Sequence, residues 1–120
     1  MQPLTTVPEY IAYVKARPDL PMCPIRLALR SIGGKWKLLI VLQLFGASAL
    51  RFSALRRGIG DITNSMLSSC LQELEGEGIV TRTQYEEIPP RVEYALTPKG
   101  ESLAPVILAL ANWGLDHEGD

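Results

Sequence analysis

The sequence predicts a mainly α-helical domain with one small β-hairpin, and three observations predict it. Apolar residues recur at helical spacing from Tyr10 to Trp113, through most of the chain. Only IVTRTQY (79–85) and RVEYALT (91–97) alternate as strands do, and the linker EEIPP joins them into a hairpin with a stiff tip. Ahead of the hairpin, two helical segments flank a glycine-bearing turn over 58–62, as in a helix-turn-helix. A length of 120 residues suits one domain, and 47% hydrophobic with 21% charged residues is the composition of a folded globular chain.

The N-terminal elements come first. Thr6 and Glu9 have capping-box spacing with Pro8 in the first turn, which predicts a helix over about 7–16 that stops before Pro18. Pro18 and Pro21 form a stiff connector, so 1–20 reads as an N-terminal helical extension. In the next helix Ile25, Leu29 and Ile32 share a stripe, Arg26 and Arg30 lie opposite, and Gly33 and Gly34 end it. KWKLLIVLQLF is apolar almost all the way round, as a central buried helix is, and stops at Gly46. An extended stretch over Leu50 to Phe52 leads to Ser53, read as the N-cap of ALRR, with Gly58 as its stop.

Thr63 caps a helix whose Leu67, Cys70, Leu71 and Leu74 form one stripe before Gly76 and Gly78. The hairpin completes a domain over 21–97. Thr97 and Pro98 then open a C-terminal helix, assigned to 98–120 and reaching about Leu115. Its apolar residues cover more surface than a small domain can bury, which predicts a homodimer joined through Leu103, Val106, Leu110 and Trp113.

Several classes of function are set aside by what the chain lacks. No apolar run approaches the roughly 20 residues that cross a bilayer. The first fourteen residues hold no Lys, no Arg and no apolar signal core, so no membrane partner and a cytoplasmic location are expected. Cys23, Cys70 and the lone His117 supply neither a disulfide framework nor closely spaced zinc ligands, and no metal or cofactor is expected. Cys23 has no histidine near it in sequence, and no charged dyad or phosphate-cradling glycine loop is present, so the chain is read as a non-enzyme without catalytic residues.

The net charge of −1 hides a division. Residues 1–60 carry nine basic and two acidic side chains, while 61–120 carry three and eleven. Between 20 and 60 there is no Asp or Glu, yet Arg26, Arg30, Lys35, Lys37, Arg51, Arg56 and Arg57 all fall there. Such one-sided charge points to a polyanion, the alternative being a solvated face neutralised by the acidic half.

Helices, a short strand, a helix-turn-helix and a hairpin in this order make a winged helix-turn-helix. Its second helix presents its N-terminal half to major-groove base edges while phosphate contacts fix the register. The candidate readers are Asn64, Ser65, Ser68, Ser69 and Gln72: Asn and Gln pair bidentately with adenine, and Ser accepts or donates. The same face would also suit plain solvation. Lys35 and Lys37 begin a helix where the macrodipole disfavours cations, and a phosphate there would reverse that sign. Arg91 follows Pro89 and Pro90 at the hairpin tip, where a rigid loop can push a guanidinium into a minor groove. Cys23, at a helix start with Arg26 one turn on, is placed for thiolate reactivity, whereas Cys70 lies on an apolar stripe and reads as core.

These residues also carry a family resemblance. CPIRLALRSIGGKWKLLIVLQL, then RFSALRR, ITNSMLSSCLQELEGEGIVTR and IPPRVEYALTPKG, resemble the HxlR family of winged-helix regulators over about residues 22–115. The resemblance implies a dimeric DNA-binding regulator of MarR-like architecture that dimerises through its terminal helices. It places Lys35, Arg51, the helix beginning at Thr63 and Arg91 at DNA, and Cys23 at the position from which some members sense oxidants. The helix before residue 18 and Cys70 have no counterpart in that pattern. The resulting expectation is a homodimer that binds double-stranded DNA at a pseudo-palindromic operator and responds to an oxidant at Cys23. A small-molecule effector in a pocket at the dimer interface, or a winged helix used only for protein contacts, is the alternative.

Overall fold

The computed structural model describes residues 3–120. The chain divides into two compact units, 1–30 and 31–120. In the first, α1 (Val7–Lys15) begins where Thr6 accepts the Glu9 amide hydrogen at 3.2 Å, with Pro8 in the first turn. The Glu9 carboxylate turns back to Thr5 rather than to Thr6, accepting from its amide at 3.1 Å. Arg17 covers the Tyr13 ring at 3.7 Å and donates to the Tyr13 carbonyl, closing the far end. The following helix, α2 (Pro24–Ile32), keeps Ile25, Leu27 and Leu29 exposed and buries Ile32.

The second unit holds α3 (Lys37–Phe45), α4 (Phe52–Ile59), α5 (Asn64–Gly76), the hairpin β1 (Val80–Tyr85) and β2 (Arg91–Leu96), a single turn α6 (Pro98–Glu101), and α7 (Ala104–Asp116). Its core forms where α3, α4, α5 and the root of the hairpin meet: Ile40, Val41, Leu44, Leu55, Leu67, Leu71, Leu74, Ile79 and Val80 are all at most 2% exposed. Each such aliphatic contributes about 1.5–3 kcal/mol on burial, so α5 is pinned by its stripe and its opposite face is left to solvent. The hairpin is antiparallel, in register from Val80↔Leu96 to Tyr85↔Arg91. Leu50 adds a bridge to Tyr94 through two backbone hydrogen bonds of 2.9 and 2.8 Å.

Four expectations need correction. The cap of α4 is Arg51, in extended conformation, not Ser53; the helix starts earlier because Phe52 turns in to pack on the core. Gly60, at φ +98°, and not Gly58 ends that helix, since a left-handed residue is what breaks the ladder there. Gly58 serves close approach instead: the Gln43 side chain occupies the space of a Cβ and donates to the Gly58 carbonyl at 3.2 Å.

The continuous C-terminal helix is broken at Ser102–Leu103, because Pro105 has no amide hydrogen to offer Glu101 and its ring would strike that carbonyl. Finally, α3 is buried on one side only. Leu39, Leu42 and Phe45 are 42%, 48% and 39% exposed, an apolar face that the protomer leaves largely open. No helix among the described residues is long and apolar enough to cross a membrane.

Candidate nucleic-acid interface

The candidate reading surface is the outer side of α5. Thr63, extended at the N-cap, accepts the Met66 amide hydrogen at 3.1 Å, so its hydroxyl is committed to starting the helix. With Leu67, Cys70, Leu71 and Leu74 turned inward, helical geometry puts Asn64, Ser65, Ser68, Ser69 and Gln72 together on the outside, and all five are exposed. A rigid polar face with amide and hydroxyl groups one turn apart can pair with base edges. Arg51, at the start of α4, is exposed as well, and Lys35 is exposed with its ammonium 4.5 Å from the centre of the Trp36 ring.

Two cations do not stand where the sequence reading put them. Lys37 is only 8% exposed, and its ammonium is 2.9 Å from a Glu73 carboxylate oxygen on α5. It ties α3 to α5 instead of facing outward. Arg91 does not project from the tip either. Its guanidinium lies 3.4 Å from Glu87, 3.8 Å from Glu93 and 4.1 Å above the Tyr85 ring. Sequence reasoning missed Arg82 of β1, which is exposed and lines a groove of about 390 Å³ with Ser68, Gln72, Glu75 and Tyr94. Strand parity was the available signal, since Arg82 shares the hairpin face of Val80.

The two cysteines sit in opposite environments. Cys23 is half-buried ahead of Pro24, within hydrogen-bonding reach of the Tyr10 hydroxyl, which also accepts the Ile25 amide hydrogen at 3.3 Å. The Tyr10 hydroxyl first, then the Arg26 amide, and more weakly the Arg26 charge hold the Cys23 thiol below its ordinary pKa, outweighing the opposing effect of burial. The same contact pushes the Tyr10 phenol up. Cys70 is 7% exposed in the core; burial, then the Glu73 carboxylate, raise its thiol, and Lys37 offsets this in part.

The residues expected at a dimer interface separate. Leu103 packs with Ile107 on the core of its own unit, while Val106, Leu110 and Trp113 are exposed, Trp113 at 66% with the His117 ring stacked on it at 4.3 Å. Leu38, Leu39, Leu42, Ile107, Leu110 and Ala111 line an almost wholly apolar depression of about 250 Å³ between α3 and α7.

Comparison with known proteins points to one family. A family profile described as an HxlR-like helix-turn-helix matches residues 31–119. A helix-turn-helix-type transcriptional regulator of Halalkalibacterium halodurans is 42% identical over 112 residues, which is 93% of this chain and 96% of the relative. Among solved structures, the redox regulator HypR in its oxidized form is similar at TM-score 0.75 and 40% identity, over 82% of this chain and 100% of HypR. The reduced form of the transcriptional regulator YodB from B. subtilis is similar at TM-score 0.69 and 33% identity, over 82% of this chain and 96% of YodB. A match through the whole helix-turn-helix and wing, with relatives this similar along most of both chains, leaves one conclusion: the chain belongs to the HxlR-like helix-turn-helix family of transcriptional regulators.

Proposed function

We propose that the protein acts as a homodimer in the cytoplasm, without catalysis, reading a pseudo-palindromic DNA site with its two α5 helices and changing affinity when Cys23 is oxidised. The observation that carries the DNA-reading part is the exposed polar face of α5, Asn64 to Gln72, set rigidly by the buried stripe behind it. Lys35 and Arg51 supply exposed charge for phosphate, while Lys37 holds the side of α5 through Glu73. Mutants should therefore divide into two kinds. Lys35→Ala or Arg51→Ala is expected to weaken binding to all duplexes alike, and Asn64→Ala to cost about 1–3 kcal/mol on the preferred site while relaxing preference at one base pair. Titration of these variants against a duplex enriched from a random-sequence library tests the reading; binding unchanged in all three sinks it.

The dimer is supported by apolar surface left without a partner. Among the described residues no residue of α7 is buried, although Val106, Leu108, Leu110, Trp113 and Leu115 all lie on it. An exposed face of this kind on a small protein is best covered by a second copy in an isologous contact, with the α3–α7 depression inside it.

The switch is supported by the environment of Cys23 and by the likeness to HypR, a redox regulator. A Cys23 thiolate attacks the electrophilic oxygen of a hydroperoxide, forming a sulfenic acid and releasing an alkoxide that takes up a proton. Condensation with a second thiol then gives a disulfide and water. The Tyr10 contact gives a pH test with a definite sign. Because the hydroxyl favours the thiolate, alkylation of Cys23 should rise with pH through an inflection below that of an ordinary cysteine, and Tyr10→Phe should move the inflection upward. Coincident inflections in the two proteins would remove Tyr10 from the mechanism. Equal responses of DNA affinity to peroxide in wild type and Cys23→Ser would remove the switch.

A further inference from the structure

We infer that Arg82, not Arg91, is the cation with which the wing grips DNA, holding a backbone phosphate in the groove between the hairpin and the reading helix. This rests on the DNA-reading role proposed above, and strand alternation is its starting point. In the register Val80↔Leu96, Arg82↔Tyr94, Gln84↔Val92, paired residues share a face, and every second residue returns to it. Val80 is buried and Leu96 and Tyr94 pack on the core, so this is the face turned toward α5, against which β1 packs. Arg82 is its cation. Arg91, Tyr85, Glu93 and Thr83 have the other parity and lie on the opposite face.

Charge separates the two arginines further. The Arg91 guanidinium is held by two carboxylates, at 3.4 Å from Glu87 and 3.8 Å from Glu93, over the Tyr85 ring, although its Nε has no hydrogen-bond partner among the described residues. Among the described residues no carboxylate lies within ion-pair distance of Arg82, which is exposed beside Ser68 and Gln72 of the reading face. Glu75, three residues beyond Gln72, stands on the same groove wall and repels an anion from that end. A phosphate is thereby confined to the Ser68 side, where a guanidinium can pair with two of its oxygens and fix the register of α5 in the major groove.

The test is the salt dependence of binding to a duplex enriched from a random-sequence library by the wild-type protein. Arg82→Ala is expected to lower the slope of log affinity against log salt by about one, with an unchanged melting curve, and Arg82→Lys to restore the slope. Arg82→Gln, which keeps most of the stem, should behave as Arg82→Ala does. A wild-type slope in both neutral variants, or a slope lost on Arg91→Ala instead, overturns the assignment and leaves the DNA-reading role standing. Failure of the wild type to bind any enriched duplex overturns that role and this inference with it.

Discussion

Leu110→Glu is expected to convert the proposed dimer into a monomer and to lower affinity for a two-half-site operator by about a hundredfold or more. Leu110 is 54% exposed in the protomer and lines the depression between α3 and α7, so a carboxylate there leaves the protomer's own core untouched. In an isologous contact it enters twice, and two unpaired charges would be stripped of water in an apolar seam. Loss of the partner removes the effective concentration that links the second half-site to the first, a factor of about 10²–10⁴. Sedimentation of wild type and variant at matched micromolar concentration, with melting curves to verify the fold, decides the matter. A monomeric wild type, or a variant that stays dimeric, refutes the interface.

Gly100→Ala is expected to produce the largest loss of stability among single-methyl changes, about 1–3 kcal/mol from overpacking, with a fall of several degrees in melting temperature. Gly100 is buried in α6, and an added Cβ would press on the Ile79 carbonyl oxygen and come within 3.0 Å of Leu96 and 3.3 Å of the Ile79 side chain. That carbonyl cannot yield easily, since it accepts from the Thr97 amide at 3.0 Å. Gly76→Ala is the control, because a Cβ there meets nothing within 4 Å at the end of α5. Calorimetric traces in which the two substitutions cost the same would show that the contact of α6 with Ile79 and Leu96 is looser than described.

Most of the fold was legible because its signals are local. The α5 stripe, the Thr63 cap and the alternation of the hairpin each depend on residues within a few positions of one another. What is not legible locally depends on partners distant in sequence or across the hairpin. Lys37 precedes Ile40, Val41 and Leu44 by three, four and seven residues, so the helical period places it on the buried stripe, but its partner Glu73 is 36 positions away. The prolines before Arg91 suggest a projecting tip, while its cross-strand partner Tyr85 and its same-face neighbour Glu93 decide where it lies. The one-sidedness of α3 was hidden for a different reason. A helix apolar all round looks the same whether its second face meets its own chain or another.

The Lys37–Glu73 pair gives that last helix a mechanical role. One flank of α3 is fastened to the side of α5 by an ammonium–carboxylate strut, and the other presents Leu39 and Leu42 to whatever lies outside the protomer. A helix held in this way behaves as a stiff lever with a load at each edge. If the outer edge is seated on a second copy, a shift of that seat reaches α5 through the 2.9 Å Lys37–Glu73 contact. The separation of the two reading heads would then be fixed by α3, and a sub-helical displacement at the seam becomes a change in the pitch at which the pair can straddle a groove.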